Sequence, residues 1–81
     1  MIIKSLLTIM LLTVTDADVV FKHTRSDARS GNITAQFELA GMHHHGLGTS
    51  QDYKKAVSWY TKAAKGGYSK AQLSLAIIYL K

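Results

Sequence analysis

The hydrophobic positions in the second half of the chain recur with the spacing of an α-helix. Six residues fall at i, i+3, i+4, i+7, i+10 and i+11 and so share one helical face, namely Tyr53, Ala56, Val57, Tyr60, Ala63 and Ala64. The pattern predicts a helix over Tyr53–Lys65, with Trp59 bordering its apolar face. Asp52 is predicted as the N-cap, because its carboxylate can accept hydrogen bonds from the free N–H groups of the first turn.

Two further helices are predicted on either side of this one. The first covers residues 35–46, where an apolar stripe is formed by Ala35, Leu39, Met42, Phe37 and Ala40. Gly46-Leu47-Gly48 ends that helix, since glycine accepts the positive φ found just past a helix C-terminus. Gly66-Gly67 ends the Tyr53–Lys65 helix, and a third helix is predicted from Ala71 to Leu80.

The chain also repeats itself at a fixed spacing. Ala35-Gln36-Phe37-Glu38-Leu39-Ala40 aligns with Ala71-Gln72-Leu73-Ser74-Leu75-Ala76 at a shift of 36 positions. Self-similarity at roughly 20–50 residues is typical of stacked helical units. We therefore predict an all-α fold, an α/α superhelix of helix-turn-helix repeats. It would hold a complete repeat at 35–70 and the first helix of a second, incomplete repeat at 71–81, and so be truncated after one and a half repeats.

The same register continues before the complete repeat, but the pattern weakens. Residues 18–34 are predicted to be a degenerate N-terminal capping helix and turn, with a more polar outer face. Ser30-Gly31-Asn32 supplies the turn.

Residues 1–17 have the features of a signal peptide. Lys4 precedes a mostly apolar run over residues 5–14, and Thr15-Asp16-Ala17 offers a cleavage site after Ala17. We therefore expect export, as a periplasmic or secreted protein. The apolar run is too short for a stable membrane span, which needs about 20 residues. The alternative is that this segment is a buried N-terminal helix of the fold.

The spaced small, aromatic and charged residues resemble the Sel-1-like repeat family, a relative of the tetratricopeptide repeats. The matching segments are Ala35-x-x-x-Leu39, Gly46-x-Gly48, Asp52-x-x-Lys55-Ala56, Trp59-Tyr60-x-Lys62-Ala63-Ala64, Gly67 and Ala71-x-x-x-Leu75. The resemblance implies an α/α solenoid that binds other proteins. It also implies that the matching positions serve packing: Ala35, Leu39, Gly46, Gly48, Asp52, Ala56, Trp59, Tyr60, Ala63, Ala64, Gly67, Ala71 and Leu75. Two positions depart from the family pattern, with Ala40 in place of a glycine and His43 in place of an aromatic residue.

Charge and composition narrow the candidate partners. The 81 residues carry a formal net charge of +5, which favours acidic surfaces, and they contain no cysteine for a disulfide or thiolate metal site. Lys54, Lys55, Lys62 and Lys65 share the polar face of the central helix. This face is either simply solvated or docks an acidic partner or anionic membrane surface. Nucleic acid is not expected, because no stacking aromatics alternate with these lysines.

His43-His44-His45 is the most conspicuous candidate for chemistry. Adjacent residues on a helix point about 100° apart, so the three side chains cannot converge on one metal ion. A zinc site usually needs four ligands, and the chain does not supply them at suitable spacing. We expect His43 to pack and its neighbours to face solvent, with no metal or cofactor.

The sequence therefore predicts an exported helical-repeat scaffold that binds protein and performs no catalysis. Leu75, Ile78 and Tyr79 on the last helix are the candidate partner-docking residues, through which the chain is also expected to self-associate. One alternative is a truncated fragment of a longer repeat protein with little independent function. The other is an envelope protein that responds to metal or pH through its histidines.

Overall fold

Four helices joined by short turns form the described part of the chain, residues 17–80 of the computed structural model. They are α1 over residues 17–29, α2 at Ile33–His45, α3 at Tyr53–Lys65 and α4 at Ser69–Tyr79. No strand occurs among these residues, and the predicted all-α fold is confirmed. The signal peptide predicted at residues 1–17 lies outside the described range except for its last residue.

Side-chain caps set where the helices begin. Asp52 caps α3 as predicted, its Oδ1 accepting a hydrogen bond from the Lys55 amide at 3.1 Å. Asn32 caps α2 in the same way, its Oδ1 lying 2.9 Å from the amide of Ala35. Because Asn32 acts as a cap and not only as a turn residue, α2 begins at Ile33, two residues before the predicted start. Likewise α4 covers Ser69–Tyr79, and not the predicted 71–80.

The main core lies where α3 packs between α2 and α4. Its fully enclosed residues are mostly alanines, namely Ala40, Ala56, Ala63 and Ala71, together with Tyr60. Small side chains let the helix backbones approach closely, and larger rings then close the seam. Phe37 stacks on Tyr68 with ring centroids 4.9 Å apart and lies 5.6 Å from Tyr60.

A second cluster joins α1 to α2. It consists of Ala28, Ala35 and Leu39, with Phe21 packed at its edge. Trp59 contacts both clusters and so links α1 to the main core. The segment predicted as a degenerate capping helix is therefore a helix packed on the repeat.

The turn between α1 and α2 has the same hydrogen bonds as the turn between α3 and α4. The Gly31 amide donates to the Ala28 carbonyl at 3.1 Å, and the Gly67 amide donates to the Ala64 carbonyl at 3.0 Å. Each pair is separated from its counterpart by 36 positions. The repeat visible in the sequence is thus present in the backbone, and α1 corresponds to α3.

Candidate functional site

One side of α4 carries large apolar side chains that no other described residue covers. Leu73, Ile77 and Leu80 fall at i, i+4 and i+7 and are 63%, 51% and 85% exposed. We call this surface the outer face of α4. Contiguous exposed apolar surface of this kind is typical of an interaction site.

A pocket borders the outer face of α4. It has a volume of about 260 Å³ and is lined by His44, Tyr53, Ile77 and Ile78. Ile77 belongs to both the pocket and the outer face. The two features therefore form one continuous surface, which could receive an apolar side chain from a partner.

The predicted docking residues of the last helix point in two directions. Leu75 and Ile78 turn inwards and pack, half-buried, against the main core. Tyr79, the third of the predicted docking residues, is 70% exposed. The exposed apolar surface of α4 also includes its outer face, whose residues were not predicted to dock a partner. The i, i+4, i+7 spacing of Leu73, Ile77 and Leu80 is the sequence pattern that indicates this second apolar face.

The residues predicted to pack occupy three kinds of environment. The fully buried ones are Ala35, Leu39, Ala56, Tyr60, Ala63 and Ala71. Those partly buried against the core are Trp59, Ala64 and Leu75. The remaining four, Gly46, Gly48, Asp52 and Gly67, lie at helix ends and turns.

Tyr53, which the apolar spacing places on the inner face of α3, lies outside both core clusters. It is 57% exposed because it lies in the first turn of α3, where the apolar stripe runs past the end of the packed seam. Its hydroxyl accepts a hydrogen bond from Gln51 Nε2 at 2.9 Å, and its ring meets the edge of His44 at 5.3 Å between centroids. Tyr53 therefore forms a wall of the pocket beside α4.

His43 is buried, as predicted. Its side chain is only 5% exposed and meets the Phe21 ring edge-on, with centroids 5.5 Å apart. Burial lowers the pKa of His43 below its ordinary value, the Lys55 ammonium lowers it further, and the Asp52 carboxylate opposes both. The imidazole is therefore held mainly in its neutral form at pH 7.

The other two histidines differ from the expectation that both face solvent. His45 is exposed, but His44 is half-buried and stacks on the His45 ring at 4.5 Å. His44 also meets the edge of the Tyr60 ring, which holds it against α3. Within residues 17–80 no three His, Cys, Asp or Glu side chains are grouped so that they could hold a metal ion. None of the helices in that range is both long and apolar enough to cross a bilayer.

Comparison with known proteins agrees with this architecture. The family model of the Sel1 repeat matches residues 33–68, from the start of α2 to the residue that precedes α4. A curated relative, chitin synthase regulatory factor 4 of Schizosaccharomyces pombe, is 33% identical over 63 residues. That match covers 78% of this chain but 9% of the relative, so the chain corresponds to a small part of that protein.

No solved structure matches the chain significantly. The family assignment therefore depends on the family model, the curated relative and the geometry of the helices. The matched residues contain α2, α3 with its cap Asp52, and the glycine turn that follows each helix. Residues 33–68 of this chain therefore match a Sel1 repeat.

Proposed function

We propose that this chain is a protein-interaction module that docks through the outer face of α4 and has no catalytic role, cofactor or nucleic-acid partner. Sel1 repeats generally mediate protein–protein interaction. The observation that carries the proposal is the exposure of Leu73, Ile77 and Leu80 together along one side of α4. Leu75 and Ile78 of the same helix pack against the main core. The curated relative is named as a regulatory factor, and this supports a role exercised on another protein.

The internal repeat indicates what kind of element fits this face. A shift of 36 positions places Leu73, Ile77 and Leu80 on Phe37, Gly41 and His44 of α2. All three of those α2 positions lie against Tyr60. Phe37 and His44 contact its ring, and a Cβ on Gly41 would lie 3.8 Å from its hydroxyl. The outer face of α4 therefore has the position of a surface that packs against a helix like α3.

The proposed occupant is α1 of a second copy of this chain. The repeat makes α1 the counterpart of α3, and Val20 on α1, which aligns with the buried Ala56, is 48% exposed. Docking α1 of one copy on α4 of the next would continue the superhelix from copy to copy. A contact of this head-to-tail kind is open-ended, so association should grow with concentration and not stop at a dimer.

Sedimentation velocity over a range of concentrations tests this proposal. Self-association is expected for the unmodified chain and should be lost in Leu73→Glu and Ile77→Glu, which place a charge in the interface. Ser58→Glu is the matched control, because it adds the same charge at an exposed position of α3. A monomer at all concentrations, or equal weakening by Ser58→Glu, would contradict self-association. In that case the face would serve a different protein or a following repeat.

Export is the second part of the proposal and depends on the pattern of residues 1–17. The chain is proposed to be cleaved after Ala17, so that the exported form begins at Asp18. Mass spectrometry of protein recovered from the cell envelope or medium would give this N-terminus. Recovery of the chain only from the cytosol, with Met1 retained, would contradict it.

A further inference from the structure

A second concave surface lies between α1, α2 and α3, away from the outer face of α4. It is a cleft of about 180 Å³, and its lining residues are Phe21, Arg25, Arg29, His43, Lys55 and Trp59. We call it the basic cleft, because three of its residues are cations and none is acidic. The Asp52 carboxylate lies close enough to act electrostatically on His43, one of the lining residues.

The three cations have no ionic partner in the described part of the chain. Arg25 lies over the Phe21 ring, with its guanidinium carbon 5.5 Å from the ring centroid. Lys62 adds a fourth positive charge nearby, with its Nζ 4.6 Å from the centre of the Trp59 ring. Positive charge gathered in a concave, partly apolar site attracts anions more strongly than the same charges spread over a surface.

His43 supplies an independent sign that a ligand belongs in the cleft. Its side chain is 95% buried, and its Nδ1 has no hydrogen-bond partner among the described residues. Buried polar atoms in folded proteins are nearly always paired, and one that is not paired needs an explanation. An aromatic residue without a polar atom would fill this position without leaving an unpaired nitrogen.

We propose that the basic cleft binds a carboxylate side chain from an acidic segment of a partner protein, an inference that depends on the interaction role proposed above. The guanidinium groups of Arg25 and Arg29 can pair with carboxylate oxygens through two parallel hydrogen bonds. Lys55 adds charge from the opposite helix. His43 Nδ1 is enclosed at the cleft wall, and the tautomer of the neutral ring that carries its proton there can donate a hydrogen bond.

The walls of the cleft favour an acidic peptide over a nucleic acid or a free phosphate. The Phe21 and Trp59 rings can cover the methylene groups of a glutamate side chain, whereas inorganic phosphate has no apolar part to cover. The Asp52 carboxylate, close enough to affect His43, disfavours a doubly charged ligand more than a singly charged one. A cleft of about 180 Å³ is also too small to hold several successive phosphates of a nucleic acid.

Trp59 makes the proposal directly measurable, because it is the single tryptophan of the chain and lines the cleft. The probes are a hexaglutamate peptide and a hexaglutamine peptide of the same length, titrated at low salt while Trp59 fluorescence is followed. The glutamate peptide should change the fluorescence in a saturable way, and the glutamine peptide should not. The Leu73→Glu chain is used in parallel, so that binding is measured without self-association through α4.

Matched variants distinguish a specific binding site from non-specific electrostatic attraction of the peptide. Arg29→Gln and Lys55→Gln should each weaken binding about tenfold, since each removes a charge-assisted contact. Lys54→Gln removes the same charge from the neighbouring position of α3, outside the cleft, and should change binding less than about twofold. His43→Phe keeps a ring beside Phe21 but removes the nitrogen, and should also weaken binding. Circular dichroism checks the folding of each variant, and Arg29→Lys replaces Arg29→Gln if the latter does not fold.

Several outcomes would overturn the inference. An unchanged Trp59 signal, or equal losses in Lys54→Gln and Lys55→Gln, would show that no carboxylate site exists. Tighter binding of inorganic phosphate or of oligothymidylate than of hexaglutamate would assign the cleft to a different ligand. If self-association persists while hexaglutamate fails to bind, the cleft assignment is wrong and the interaction role through α4 stands.

Discussion

The side-chain amide of Gln36 donates a hydrogen bond from α2 to the carbonyl oxygen of Ala28 on α1, with nitrogen and oxygen 3.2 Å apart. Gln72 makes the same bond to Ala64 at the same distance, 36 positions further along the chain. The two bonds differ in environment, because the first is partly buried and the second is exposed. The contribution of the same hydrogen bond to the stability of the fold can therefore be compared in a partly buried and in an exposed position.

Replacing Gln36 with methionine should destabilise the fold more than the same change at Gln72. Loss of the partly buried bond should lower the free energy of unfolding by about 1 kcal/mol, and loss of the exposed bond by less than about 0.5 kcal/mol. Each carbonyl keeps a second donor, the Gly31 or the Gly67 amide, which limits the effect. Urea unfolding followed by circular dichroism measures both values. Equal losses at the two sites would show that burial does not strengthen this contact.

Gly48 should be intolerant of alanine for two separate reasons. Its φ of +72° is disfavoured for residues with a side chain. A Cβ would also collide with the Ala17 carbonyl in the uncleaved chain, and in either form it would lie only 3.1 Å from the Cβ of Phe21 on α1. Gly67 has a φ of +94° with no atom within 4 Å of a Cβ, so it isolates the first effect. Gly67→Ala should lower the unfolding free energy by about 1–2 kcal/mol. Gly48→Ala should lower it further, and equal losses would mean that α1 does not press on this turn.

The alanine core should resist enlargement. Ala63 is fully enclosed between the helices, whereas Ala76 on α4 is exposed. Ala63→Leu should destabilise the fold by about 1–3 kcal/mol or more, because helices packed this closely have no space for three additional carbon atoms. Ala76→Leu should change stability by less than about 0.5 kcal/mol. Thermal unfolding of both variants checks this, and a stable Ala63→Leu protein would contradict close packing at the seam.

Much of the helical fold can be predicted from the sequence, because the spacing of apolar residues and the caps carry the information locally. The central helix has both a clear stripe and Asp52, and the prediction gives its bounds correctly. The predicted start of α2 is two residues too late, because asparagine is as common in turns as at helix N-caps and Asn32 was assigned to the turn. In the first turn of α3 the apolar spacing alone does not determine which residues are buried. Periodicity places Tyr53 on the apolar face, but it does not tell where the neighbouring helix ends.

The surfaces were harder to predict than the helices. From Leu73 to Leu80 only Ser74 is polar, so no polar face indicates which side of α4 points inwards. The internal repeat does indicate the inward side of α4, because Leu75 aligns with Leu39, which is fully buried. The basic cleft brings Arg25 and Arg29 of α1 beside Lys55 of α3. Their meeting depends on how α1 packs on α2, in the part of the sequence where the repeat pattern is weakest.

The stability of the fold should fall as the pH drops below 6.5, and His43 should be the main cause. Burial and Lys55 place the pKa of His43 below its ordinary 6.5, despite the opposing Asp52 carboxylate. Between that lowered pKa and 6.5 the unfolded chain binds more protons than the folded chain, so stability rises with pH across this window. The effect amounts to about 1.4 kcal/mol for each pKa unit of difference. His43→Phe should remove this pH dependence, whereas His45→Phe, which replaces an exposed ring, should keep it. Urea unfolding at pH 7.5 and 5.5 measures the free energy of unfolding of each chain. If His43→Phe and the unmodified chain lose equal stability between these pH values, a group other than His43 is responsible.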